Sequence, residues 1–314
     1  MTNFVLIFLC ISVGVILSKA RILPADAHRG VTAWVINVAM PALILRFVPE
    51  IEWSTQLFLP ALAPILVWLG AWVFVWLYNR RQHLSIASRT AMFVTCGLGN
   101  TGFIGFPMTA AYFGESEVPK AILVDQFCFI LFATVGAITV MRAASAVTSE
   151  GISANASGGN RNTEVTDILR KLFCFPPFVA CLLALILPIF VDISALNPLL
   201  DKLVATMSPL ALFAIGLQLR IGEIKKEWKM VSAALTYKLL MAPLLVFLLA
   251  LALHANGNLA RISVFEAGMP THITISLLAS EYQLNPRYCS LVVGAGIIMC
   301  FLSLTGWYFL TALL

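Results

Sequence analysis

Gly97-Leu98-Gly99-Asn100-Thr101-Gly102-Phe103-Ile104-Gly105-Phe106-Pro107 lies inside an apolar run over 86–112 that is long enough to cross a bilayer. The stretch carries four glycines, a proline and two polar side chains, the residue types that interrupt a helix. An interrupted helix in hydrocarbon frees N–H and C=O groups that lipid cannot satisfy. Such a break persists only where it faces protein, water or a bound solute. A weaker echo stands at Glu266-Ala267-Gly268-Met269-Pro270-Thr271. Two breaks in two apolar runs predict a buried polar site between two half-molecules.

Working outward, the composition sets the class. Hydrophobic residues make up 60% of the chain and charged residues 11%, against roughly 25% charged in soluble domains. The fold class is therefore an all-α polytopic membrane protein. The net charge of +5 fits basic cytoplasmic loops without an anionic macromolecular partner, and nothing calls for a nucleic acid. Cys10, Cys96, Cys128, Cys174, Cys181, Cys289 and Cys300 form no CxxC pair, and nearly all fall in apolar runs. They read as small core residues, not as a metal site or disulfide framework, and no cofactor is expected. Residues 1–10 have no basic stretch before their apolar run, so they read as a first span that stays in place.

Apolar runs of about 20 residues fall near 3–19, 31–48, 57–78, 86–112, 118–142, 169–190, 194–220, 230–253, 258–281 and 288–313, ten in all. Residues 144–168 are rich in Ser, Gly and Asn and read as a flexible tether. The chain then divides into a first five-span repeat over 1–143, the linker 144–168 and a second five-span repeat over 169–314. One set of alternate loops holds fifteen of the twenty Lys and Arg residues and the other set four, with Lys238 left inside a span. That asymmetry places both termini outside and the linker in the cytoplasm. Met40-Pro41-Ala42-Leu43 resembles Ser208-Pro209-Leu210-Ala211, and the broken fourth span resembles the broken ninth. Pro209 follows Pro41 by 168 positions and Pro270 follows Pro107 by 163. Five spans per half invert the second copy, the arrangement of secondary transporters with a site near the bilayer midplane.

The candidate site residues come from the two breaks. Asn100 supplies an amide donor and a carbonyl acceptor beside Thr101 and Gly102, with Pro107 closing the stretch. Helix N-termini there would favour an anionic solute, and freed carbonyls could hold a cation. The alternative is a structural crossing in which Asn100 satisfies backbone groups. In the second break, Pro270, Thr271 and His272 follow Glu266. A carboxylate inside a span points to cation or proton handling; the competing reading puts Glu266 near the aqueous end, paired with Arg261. His272 reads equally as a functional imidazole or a buried neutral one. Lys238 and Asp125 are further intramembrane ions, ranked below Glu266 for ion coupling, and Lys238 is within snorkelling reach of water. An intramembrane enzyme would need a nucleophile with a base, paired aspartates or an HExxH site. None is present, and Asp125 is the only Asp well inside a span.

Asn100-Thr101-Gly102-Phe103-Ile104-Gly105-Phe106-Pro107 resembles the N-T-x-x-x-G-x-P stretch of the auxin efflux carrier (PIN-like) family. Met269-Pro270 and Ala279-Ser280-Glu281-Tyr282 resemble its second crossover and A-x-E-Y ending. The resemblance implies a fold related to bile-acid sodium symporters, with a scaffold domain, a transport domain and crossed helices 4 and 9. It also implies a homodimer through the scaffold domain, and places Asn100, Pro107 and Pro270 at the crossing with Asn100 contacting substrate. Glu266-Ala267-Gly268-Met269 resembles the sodium-ligating stretch of the bile-acid symporters, which implies a coupling role for Glu266. The short linker looks prokaryotic and implies a bacterial inner membrane. The expected function is a secondary carrier of a small organic anion, a mono- or dicarboxylate, with an elevator-type motion and Na+ or H+ as coupling ion. The competing expectations are a sodium-coupled uptake symporter of the bile-acid type and a membrane sensor that does not transport.

Overall fold

The computed structural model describes residues 2–24, 26–50, 58–136, 138–140, 142–143, 146–147, 175–191, 194–219, 227–273, 279 and 282–314. Among these the chain is helical, apart from loops and a single antiparallel bridge between Gly99 and Thr271. The helices are α1 (Thr2–Lys19), α2 (Ala27–Phe47), α3 (Phe58–Gln82), α4 (Ile86–Gly97), α5 (101–112), α6 (Val118–Leu131, continued by Phe132–Gly136), α7 (Pro176–Phe190), α8 (Ser194–Gln218), α9 (Trp228–Ala252), α10 (Gly257–Ala267) and α11 (Pro286–Leu310). Six helical runs are long and apolar enough to cross a membrane: α2, α3, the run containing α6, α8, α9 and α11. α1 and α7 are shorter apolar helices. Large apolar side chains such as Phe8, Trp72, Ile189, Phe190 and Leu302 are exposed, as expected of surfaces that meet lipid. The linker expected over 144–168 lies, apart from residues 146–147, outside the described residues, as does Glu281.

The two expected breaks are present. The run over 86–112 is helical to Gly97, extended at Leu98, and helical again from Thr101. In the run over 258–281 the helix that begins at Gly257 ends at Ala267, and the chain continues non-helical through Gly268-Met269-Pro270. At 12 and 11 residues, α4 and α10 are about 18 and 16 Å long, well short of a hydrocarbon core of roughly 30 Å.

Proline shapes three of the helices in the same way. A π-helical turn covers Val35–Ala39, Thr101–Gly105 and Tyr237–Met241, in each case ending two residues before a proline: Pro41, Pro107 and Pro243. Proline offers no N–H, and its ring crowds the carbonyl one turn back, so the preceding turn widens. The starts of α4 and α11 are capped by side chains. Ser85 accepts from the Ser88 N–H and Asn285 accepts from the Tyr288 N–H, while the Asn285 amide donates to Ser88 Oγ at 3.1 Å and ties the two starts together.

The described chain forms two compact units, each drawing on both halves of the sequence. Unit 1 takes Met1–Thr55, Gly102–Gln126 and Phe173–Leu219; unit 2 takes Gln56–Thr101, Phe127–Leu172 and Arg220–Leu314. In unit 1, α1 packs along α8, and α2 packs on α7 and α8. α1 and α8 meet backbone to backbone: a Cβ on Gly14 would stand 2.6 Å from Phe213 O, and one on Gly216 would strike Ile11 O. In unit 2, α3 packs on α4, α9 and α10, and α11 packs on α4, α9 and α10. Val67, Ala71, Tyr237, Val264 and Tyr288 are among its buried core residues.

Candidate functional site

The two breaks meet inside unit 2. The Asn100 N–H donates to Pro270 O at 2.8 Å, and the His272 N–H donates to Leu98 O at 3.1 Å. Together they form a two-rung antiparallel bridge centred on Gly99 and Thr271. Two short extended pieces at the ends of α4 and α10 thus satisfy in each other the groups that a continuous helix would have satisfied internally. The Thr271 hydroxyl donates to Thr95 O at 2.9 Å, and the Thr95 hydroxyl shares a 2.8 Å hydrogen bond with the Tyr288 hydroxyl. Residues from α4, the second break and α11 are joined through buried polar groups.

The carbonyls where α10 ends are accounted for in turn. Phe265 O accepts the Gly268 N–H and Glu266 O accepts the Met269 N–H, both at 3.1 Å. Ala267 O accepts the Lys238 ammonium at 3.0 Å. Lys238 is the second residue of the π turn in α9 and is 2% exposed, so it does not snorkel to water. Glu266, at 0% exposure, is buried as well. The His272 ring is part-buried and lies parallel to Phe132, with centroids 5.2 Å apart.

Of the ten residues singled out by sequence, the fold gathers Asn100, Thr101, Glu266, Pro270, Thr271, His272 and Lys238 in unit 2. Gly102, Pro107 and Asp125 belong to unit 1, because the chain passes from one unit to the other after Thr101. There Asp125 faces Gly102: a Cβ on that glycine would lie 3.2 Å from the carboxylate. Pro107 lines a separate cavity of about 400 Å³, together with Ile7, Leu43, Phe106, Ser208 and Pro209. Sequence reasoning passed over Thr95 and Tyr288, which look like ordinary span residues until the fold brings them together. It also ranked Lys238 low, although Pro243, five residues on, was a signal for the widened turn that holds it.

Comparison with known proteins fits this geometry. A family model described as a membrane transport protein matches residues 1–308. The chain belongs to this family, that of the auxin efflux carriers. Among relatives of this membrane transport protein, an uncharacterized transporter of Methanothermobacter thermautotrophicus is 24% identical over 96% of the chain and 95% of its own length. A Rhizobium meliloti protein named "Putative malonate transporter" is 23% identical over 91% of the chain and 88% of its own length. The uncharacterized transporter YfdV of Escherichia coli K12 is 23% identical over 83% and 82%. The family and its relatives are multi-pass membrane transporters, not enzymes.

Proposed function

We propose that this membrane transport protein is a secondary carrier of a small organic anion, a mono- or dicarboxylate, working by an elevator-type alternating-access motion. The observation that carries the reading is the hydrogen-bonded meeting of the two breaks, Asn100 N–H to Pro270 O and His272 N–H to Leu98 O. A break that were merely a packing defect would have no reason to find the other. Asn100 is 1% exposed and lies next to the bridge. Its amide NH2 can donate to a carboxylate, which suits a contact with an anionic substrate. Glu266 is the residue we assign to ion coupling, with H+ or Na+ as the ion. The name of the Rhizobium meliloti relative makes malonate the first solute to try.

The wider arrangement proposed with this function has ten spans in two inverted repeats, with helices 4 and 9 crossed. It sits in a bacterial inner membrane with both termini outside, the 144–168 linker in the cytoplasm, and a second copy joined through the scaffold domain. The test is uptake of radiolabelled malonate, other dicarboxylates, monocarboxylates and indole acids into proteoliposomes under imposed proton or sodium gradients. Gradient-stimulated flux that falls at least tenfold in Asn100→Ala is the expected result, since a lost buried hydrogen bond to a charged solute costs about 1.5–3 kcal/mol. Equal flux in the two proteins would move the site away from Asn100. No flux with any solute would overturn the carrier reading in favour of a sensor, and strictly sodium-driven uptake of bile-acid-like solutes would favour the symporter.

A further inference from the structure

Lys238 is the one lysine or arginine that is fully buried among the described residues, and its surroundings are specific. The C-terminal end of a helix concentrates partial negative charge on carbonyls that have no partner within the helix. α10 ends at the second break, where local N–H groups take the carbonyls of Phe265 and Glu266. The carbonyl of Ala267 is met by the Lys238 ammonium. In broken-helix carriers the C-terminal end of a half-helix, with its unwound carbonyls, is where a transported or coupling cation is held. Here a covalently tethered ammonium stands in that place, delivered by the π turn before Pro243.

Gly99, on the first break, completes the fit. A Cβ built there would lie 3.0 Å from Lys238 Nζ and 3.4 Å from its Cε. A methyl group at position 99 would press on the ammonium and push it aside by a few tenths of an ångström. The same glycine pairs with Thr271 across the bridge, so the ammonium lies against both breaks at once.

We propose that Lys238 is a resident cation: its ammonium fills the cation position at the end of α10, so that the second break is held without a bound metal ion. Position 99 is held as glycine by that ammonium. Only the transport arm of the test rests on the carrier reading above; the binding arm does not.

The binding arm follows thermal unfolding of the purified full-length protein in detergent, in sodium chloride and in choline chloride at equal ionic strength. The wild type is expected to melt at the same temperature in both. Lys238→Ala is expected to melt several degrees lower in choline and to be restored in part by ethylammonium or by Na+, either of which can enter the vacated space. Lys238→Met, which refills the space without charge, is expected to be destabilised and not restored. Rescue by a free cation is a readout that a purely space-filling lysine would not give. Gly99→Ala is expected to lower the melting temperature of the wild type and to have no further effect on Lys238→Ala.

The proposal is overturned if Na+ raises the melting temperature of the wild type, if neither cation restores Lys238→Ala, or if Gly99→Ala has the same effect in both backgrounds. Should Lys238→Ala not fold, Gly99→Ala combined with Lys238→Ser, whose side chain ends short of position 99, decides the matter by the same loss of additivity. With the cation position filled by Lys238, H+ is left as the ion for Glu266, and in proteoliposomes the wild type is expected to move its anion equally well in sodium and in choline. An absence of flux with any solute, beside the expected melting behaviour, would break the carrier reading and leave the resident cation standing. Sodium-stimulated flux together with sodium-stabilised melting would do the reverse.

Discussion

Unit 1 and unit 2 join distant parts of the chain by different means. In unit 1, α1 and α8 touch where Gly14 faces Gly216, and the long-range polar ties are more exposed: Ser18 Oγ to Leu217 O, Trp34 Nε1 to Thr206 Oγ1 and the Arg46–Asp201 ion pair are exposed, and Asn3 Nδ2 to Ala110 O is part-buried. In unit 2 the long-range ties are buried and polar, running through Thr95, Thr271, Tyr288 and Lys238. Small residues allow helices to approach closely in a membrane, where no hydrophobic drive brings them together. Buried polar ties make a region specific, at the cost that every partner must be present. The difference teaches where the proposed function is to be tested first: buried polar groups that depend on a partner are the ones a solute could engage.

Three substitutions sharpen or break that contrast. The largest effect is expected from Gly216→Leu, whose side chain would be driven into the backbone of α1 at Ile11. Forced overpacking costs about 1–3 kcal/mol even where side chains can yield, and backbone yields less. Loss of the monodisperse species in fluorescence-detected gel filtration is the expected outcome; a normal profile would show that unit 1 is not held by the glycine pair. Next comes Thr271→Val, which keeps the shape and leaves Thr95 O without its donor. A buried acceptor so deprived costs about 1–3 kcal/mol, to be read as a lowered melting temperature, and an unchanged value would remove the polar tie from the account of unit 2. The smallest effect is expected from Arg46→Ala. The pair with Asp201 is at 2.8 Å, but Asp201 is 55% exposed, and exposed pairs contribute about 0–1 kcal/mol. A large loss there would mean that unit 1 depends on charge after all.

The breaks were legible in the sequence because their cause is local. Gly97, Gly99, Gly102, Gly105 and Pro107, crowded into eleven residues, weaken a helix locally, and Gly268 with Pro270 does the same. The apolar runs were legible for the same reason, and their ends shift by only a few residues: α2 begins at Ala27 where the run suggested 31, and α3 continues to Gln82 where it suggested 78. What could not be read were pairings across large separations. Lys238 and Ala267 are 29 positions apart and Thr95 and Tyr288 are 193 apart; neither pair has a periodicity that announces it. The interleaving of the two units was hidden too, because a contact pattern drawn from both halves leaves no mark on composition. Glu266 shows the intermediate case. Its presence inside an apolar run was visible, and its complete burial was decided by the packing of α10 on α3, α9 and α11.

The contact between Gly14 and Gly216 sets a timetable for biogenesis. α1 is synthesised before α8, and the surface of α8 that it fits is encoded roughly 200 residues later. At a synthesis rate of about 5–20 residues per second, that is a wait of about 10–40 s. Through this interval the glycine notch of α1 waits without the surface that fills it. A ribosome stalled before residue 216 would therefore leave α1 inserted but unlocked, and a crosslink between positions 14 and 216 would report when unit 1 closes.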